Sequence, residues 1–190
     1  MSMAASRSRS EPALAVVMGV SGSGKTCVGA ALARQLGVRF LEGDSLHPRS
    51  NVDKMSRGIP LTDDDRWPWL DRIGNALRDA ARQGEGLIVS CSALKRSYRE
   101  RLRDTAEGLA FIHLTGSQTL LAERLGTRTG HFMPAHLLAS QLATLESTRG
   151  ELRMIDIDIG PPPEAIVARA ARFLGDLQAL DMISARGVLD

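Results

Sequence analysis

Eight residues, Gly19-Val-Ser-Gly-Ser-Gly-Lys-Thr26, constrain this chain more than any other stretch. They follow a short, continuously apolar run, Leu14 to Met18, of the kind that forms a strand covered on both faces of a parallel sheet. They precede Lys25 to Leu36, where apolar residues recur at helical spacing and Gly37 supplies a stop. Strand, glycine-rich turn and helix in that order set successive backbone N–H groups and the positive helix end around one point, which suits a polyphosphate. In that pattern Gly19, Ser21, Gly22, Ser23, Gly24, Lys25, Thr26 and Cys27 form the nucleotide side. Lys25 reaches the β and γ phosphates and the Thr26 hydroxyl ligates Mg²⁺.

The rest of the sequence repeats the alternation. Strands are expected at Val38 to Leu41, Gly86 to Cys91, Leu109 to Leu114 and Leu152 to Ile159. Helices are expected at Asp64 to Arg82, Leu94 to Asp104 with Ser92 as its cap, Ser117 to Leu125, Pro134 to Glu146 and Pro162 to Leu174. This predicts an α/β fold with a five-stranded parallel sheet and helices on both faces. Residues 1–10 read as a loose tail, 11–178 as one domain and 179–190 as a C-terminal tail.

Composition narrows the function classes. The 190 residues, 43% hydrophobic and 24% charged, are ordinary for one globular domain. No apolar run approaches membrane-spanning length, which predicts a cytoplasmic protein. Interspersed charges with a net of +2, and only 4% aromatic residues, predict neither a nucleic-acid nor a membrane surface. Cys27 and Cys91 lack metal-type spacing. Of the 24 basic side chains only Lys25, Lys54 and Lys95 are lysines. A compact ammonium suits a phosphate or a crowded polar substrate in ways a forked guanidinium does not.

Several residues carry two readings. Asp44, in Glu42-Gly-Asp44, is a turn-forming aspartate or the carboxylate that accepts the proton of an attacking hydroxyl. Lys54, Arg66 and Lys95 lie on segments that leave the carboxyl edge of the sheet or cross above it, where they could meet a substrate, although Arg66 also fits as an ordinary first-turn helix residue. The run Asp63 to Asp65 after Thr62 reads as helix capping, and Trp67 and Trp69 as packing of that helix onto the sheet. Ser92 either caps its helix or meets substrate oxygens. Arg124 and Arg128, four apart between Gly-bearing turns, fit a lid over about 124–134 that neutralises transferred charge, or a solvated helix end. His131 and His136 have the wrong spacing for a helical zinc pair.

Read together, the blocks Met18 to Thr26, Glu42-Gly-Asp-Ser-Leu-His-Pro48, Asn51 with Lys54-Met55, Gly58 to Leu61, Asp65-Arg-Trp-Pro-Trp-Leu70, Ser90-Cys-Ser-Ala-Leu-Lys-Arg96, Gly130-His-Phe-Met-Pro134, Ser140-Gln and Thr144-Leu-Glu146 resemble the gluconate kinases of the thermoresistant, phosphate-loop type. The resemblance spans roughly residues 14 to 160. It implies a P-loop NTPase fold of the nucleoside-monophosphate-kinase kind, use of ATP and Mg²⁺, phosphorylation of the 6-hydroxyl of D-gluconate, and a homodimer. It adds His47 and His131 to the acceptor side. Cys27 and the text of Ser147 to Arg153 depart from the family pattern. Another small-molecule kinase of this fold, shikimate-kinase-like, and a regulatory module that binds nucleotide without transfer are the alternatives that the residues leave open.

Overall fold

The computed structural model describes residues 12–126 and 135–186. Strands β1 (Leu14–Met18), β2 (Arg39–Glu42), β3 (Leu87–Ser90), β4 (Ala110–Thr115) and β5 (Met154–Asp158) form one parallel sheet in the order β2-β3-β1-β4-β5. The expected five-stranded parallel sheet is therefore present. β1 is central, with Val16 beside Val89 on one side and Phe111 on the other. The chain winds first to one side of β1 and then to the other. In such sheets the ligand crevice opens at the carboxyl ends of the strands.

Alternation along each strand divides the core in two, because successive side chains point to opposite faces. Ala15, Val17, Ile88 and Ile112 face helices α1 (Lys25–Leu36), α5 (Gln118–Gly126), α6 (Ala135–Thr144) and α7 (Pro163–Arg186). Val16, Met18, Val89 and Phe111 face α3 (Asp63–Gln83) and α4 (Arg96–Arg103). Each fully buried aliphatic side chain contributes about 1.5–3 kcal/mol, so both layers are needed to hold the sheet.

Three local expectations need correction. The helix after β3 starts at Arg96, and its cap is the extended Lys95 backbone with no side-chain cap, so Ser92 does not cap it. A 3₁₀ turn over Gly43–Leu46 and a helix α2 (Arg49–Ser56) occupy a segment for which no element was expected. α2 carries only Val52 and Met55 as apolar residues, both exposed, so no apolar face announces it. Finally, α7 runs to Arg186, so the tail expected from residue 179 is helix through that point. Among the described residues no helix is long and apolar enough to cross a membrane.

Candidate active site

The carboxyl ends of β1, β2 and β3 supply the site. After β1 the loop from Gly19 wraps back, and Gly24, at φ +88°, opens α1. No acidic side chain stands in the first turn of α1 and no side chain caps it, so the positive end of the helix is not offset by a carboxylate of its own first turn. A Cβ added at Gly24 would meet only the Arg124 Nη1, 3.9 Å away. The buried Ser23 hydroxyl has no hydrogen-bond partner among the described residues. A cradle of this kind, positive and short of acceptors, fits a nucleotide polyphosphate with its magnesium. Lys25 donates from Nζ to the Val20 carbonyl at 3.0 Å, and Arg124 donates from Nη2 to the Ile159 carbonyl at 2.8 Å.

At the end of β2, Gly43 lies against β3. A Cβ there would come within 2.1 Å of the Ser90 carbonyl oxygen, so only glycine lets the two strand ends approach. Gly43 N–H donates to Ser90 Oγ at 3.2 Å, the Ser90 hydroxyl donates to the Glu42 carboxylate, and Trp69 Nε1 donates to the Gly43 carbonyl at 2.8 Å. These contacts fix the turn that presents Asp44, which is exposed at the edge of the sheet. Just after β3 the Cys91 thiol is buried, and that burial pushes it up to about 12.

The residues expected on the acceptor side form a network of ion pairs. Lys54 donates to both Asp65 oxygens at 2.6 and 2.8 Å, and Lys95 donates to both Asp63 oxygens at 2.8 and 2.7 Å. The acidic run does more than cap α3: Asp65 closes a capping box with Thr62 and also holds Lys54, whose hydrogen bond pulls its carboxyl down to about 2. Lys95 and the Tyr98 hydroxyl hold the Asp63 carboxyl below its ordinary range. Burial, reinforced by the Asp63 hydrogen bond, pushes the Tyr98 phenol up. Arg66 donates to the Leu61 carbonyl at 3.3 Å and lies 5.9 Å from the Tyr98 ring centre. His47 stacks on Trp69, with ring centres 4.2 Å apart, and burial with the nearby Arg66 charge lowers its pKa to about 4. Trp69 is buried as expected, and Trp67 meets Tyr98 edge-on.

Matches to known proteins now bear on this geometry. Residues 14–149 match the family model described as "AAA domain". The chain is 49% identical over 162 residues to the gluconokinase of Gluconobacter oxydans (strain 621H), covering 85% of this chain and 91% of that protein. It is 44% identical over 154 residues to the thermoresistant gluconokinase of Escherichia coli (strain K12), covering 80% and 88% of the two chains. The chain belongs to the gluconokinase family. A crystal structure of a gluconokinase from Sinorhizobium meliloti 1021 superposes with a TM-score of 0.85 at 54% identity, covering 93% of this chain and 99% of that one. The fold is accordingly the P-loop, nucleoside-monophosphate-kinase-like one expected from the resemblance.

Within this gluconokinase fold the site residues divide unevenly. The loop residues from Gly19 to Thr26, together with Asp44, His47, Arg66, Ser92 and Arg124, surround the carboxyl edge, and the Ser92 carbonyl accepts from Gly19 N–H at 3.3 Å. Cys27 is exposed on α1. Arg128, His131 and most of the expected lid lie outside the described residues. Four contributors had no role in the sequence reading. Asn51, 2% exposed, donates to the Asp65 carbonyl at 2.7 Å and so ties α2 to α3. Gln141 Oε1 accepts from Ser21 N–H at 2.7 Å. Arg99, with no exposed side-chain surface, donates to the Ala93, Leu94 and Ser147 carbonyls and pairs with the buried Glu151 at 2.5 Å. Ala93, at φ +43°, is a strained non-glycine residue, held by that guanidinium one position after Ser92. The departing segment Ser147 to Arg153 is thus bolted to the loop after β3. Ser140-Gln was legible as part of a block, but nothing in the sequence told what the glutamine touches.

Proposed function

We propose that the chain transfers the γ-phosphoryl group of Mg·ATP to the 6-hydroxyl of D-gluconate, giving 6-phospho-D-gluconate and ADP. The single observation that carries this reading is the acceptor-poor glycine loop that opens α1, carrying Lys25 and the Ser23 hydroxyl, unpartnered among the described residues, at the same edge of the sheet at which Asp44 follows β2. The gluconokinase relatives supply the substrate class.

In this reading the loop N–H groups and Lys25 hold the β and γ phosphates, and Thr26 holds the magnesium. Bound Mg·ATP supplies the transferable phosphoryl group. Asp44 accepts the proton of the 6-hydroxyl as the new O–P bond forms and the bond to the ADP oxygen breaks. Arg124 and Arg128 neutralise the charge that spreads over the equatorial oxygens and help to exclude water. Arg66, with Lys54, Lys95, His47, Ser92 and His131 around it, orients the sugar acid. A cytoplasmic homodimer belongs to the same reading, and sedimentation equilibrium measures its oligomeric part.

Incubation with Mg·ATP and gluconate, shikimate or AMP side by side, with mass detection of product, tests the proposal. Phosphorylated gluconate alone is the expected outcome. Phosphorylation of another acceptor in its place, or of none, overturns it.

A further inference from the structure

The turn after β3 joins the glycine loop to a buried ion pair. Cys91 N–H donates to the Val17 carbonyl at 3.1 Å, and the Ser92 carbonyl accepts from Gly19 N–H at 3.3 Å, so the pairing with β1 runs on into the first residue of the loop. Ala93 then breaks the extended course with a φ of +43°, a left-handed conformation in which a Cβ is crowded. Ala93 and Leu94 are buried, so their carbonyls need donors from within the protein. Arg99 Nη1 supplies one to each, at 3.0 and 2.9 Å. The rest of that guanidinium is fixed by the buried Glu151 carboxylate and the Ser147 carbonyl.

We propose that Arg99 is a positioning residue for the nucleotide cradle: it holds Ala93 in its left-handed turn, and the turn keeps the Ser92 carbonyl on the Gly19 N–H. The functional consequence, for nucleotide affinity, rests on the kinase reading above. The left-handed form of a residue with a Cβ is disfavoured about 5- to 30-fold, so Ala93 relaxes unless its surroundings hold it. The fork of Arg99 is suited to that task, because one planar group serves two adjacent carbonyls on one side and a carboxylate on the other. A lysine in its place still meets Glu151 as a point charge but cannot span both. The segment Ser147 to Arg153, which departs from the family pattern, thereby acquires a role. Through Glu151 and the Ser147 carbonyl it orients the guanidinium that shapes the start of the glycine loop.

Two replacements of Arg99 in the full chain test the proposal, each made with and without Ala93→Gly, since glycine adopts the left-handed form freely. Arg99→Lys keeps a cation beside Glu151. Arg99→Met combined with Glu151→Leu removes both charges, so neither is left buried and unpaired, and it carries the comparison if Arg99→Lys fails to fold. Amide hydrogen exchange at Gly19 and calorimetric titration of Mg·ATP are read well below the melting midpoint, with circular dichroism reporting the fold. Without Arg99, Gly19 is expected to exchange about 5- to 30-fold faster and Mg·ATP to bind weaker by a similar factor. Ala93→Gly is expected to restore most of both losses. A purely structural role for Arg99 would lower the melting midpoint and leave both readouts of the folded protein unmoved. Unchanged Gly19 exchange in the folded Arg99 variants, or a loss that Ala93→Gly leaves in place, overturns the proposal. Absence of Mg·ATP uptake by the unaltered chain overturns the kinase reading instead, and the exchange comparison still decides whether Arg99 positions Gly19.

Discussion

Asp63 grips Lys95 through both carboxylate oxygens, at 2.8 and 2.7 Å, and the Tyr98 hydroxyl donates to the same carboxylate at 2.5 Å. Lys54 is held in the same fashion by Asp65. Each pair is nearly neutral at a distance, whereas Arg66 forms no ion pair with a carboxylate among the described residues. Arg66 is thus expected to contribute the larger share of the field felt by an incoming carboxylate. Arg66→Ala is expected to raise the gluconate KM by about 10- to 100-fold, the worth of a charge-assisted contact. Lys95→Ala is expected to raise it less, with the ATP KM unmoved in both. Steady-state kinetics with each substrate varied in turn decides; a larger effect from Lys95→Ala refutes the ranking.

Lys25→Ala removes the ammonium assigned to the phosphates while leaving the hydrophobic layers untouched. Turnover is expected to fall by about 10²–10³-fold, the usual loss for one preorganised electrostatic contact. Circular dichroism and the melting midpoint are expected to stay close to those of the unaltered protein. Near-normal turnover removes the lysine from the mechanism.

Asp44→Asn keeps the shape of the turn and deletes the proton acceptor. Calorimetric uptake of Mg·ATP is expected to persist, and transfer to gluconate to fall by at least about 10²-fold. Equal activity in a coupled assay assigns the base elsewhere.

His47 makes stability depend on pH. Its folded pKa of about 4 lies below the ordinary 6.5 because burial, and then the Arg66 charge, disfavour the imidazolium. Between those values the unfolded chain binds a proton that the folded chain refuses, so stability is full above about pH 6.5 and declines as pH falls towards 4. Comparison of urea midpoints at pH 7 and pH 5 is expected to show a loss of about 1–2 kcal/mol in the unaltered protein. His47→Asn is expected to show a smaller drop over the same interval, and an identical one removes His47 from this linkage.

Glu151→Gln leaves the buried Arg99 guanidinium without its counter-charge. Burial raises the Glu151 carboxyl, but the Arg99 and Arg103 hydrogen bonds outweigh it and bring it below its ordinary range. Breaking such a pair from one side costs about 3–5 kcal/mol. The melting midpoint is expected to fall on the order of 10 °C, and an unchanged midpoint disproves the structural weight given to the pair.

What the sequence disclosed follows from how far apart the interacting residues lie along it. The phosphate cradle was legible because its parts are consecutive, and the sheet because buried parallel strands leave short apolar runs such as Leu14 to Met18. α2 was not legible, since it is held by Asn51 and Lys54 reaching across to Asp65 rather than by an apolar face of its own. The acidic run Asp63 to Asp65 announced its capping role, which needs only Thr62, but not its lysine partners, 11 and 32 positions away. Gln141 and Ser21, and Arg99 and Glu151, meet only because α6 and the segment that leads from it towards β5 pass beside the loops that follow β1 and β3.

The Arg99 anchorage has a mechanical corollary. By riveting the residues before β5 to the residues after β3, it welds the last crossover of the chain to the loop whose Ser92 carbonyl holds the Gly19 N–H. Any breathing of the cleft during a catalytic cycle must pivot on chain outside that weld.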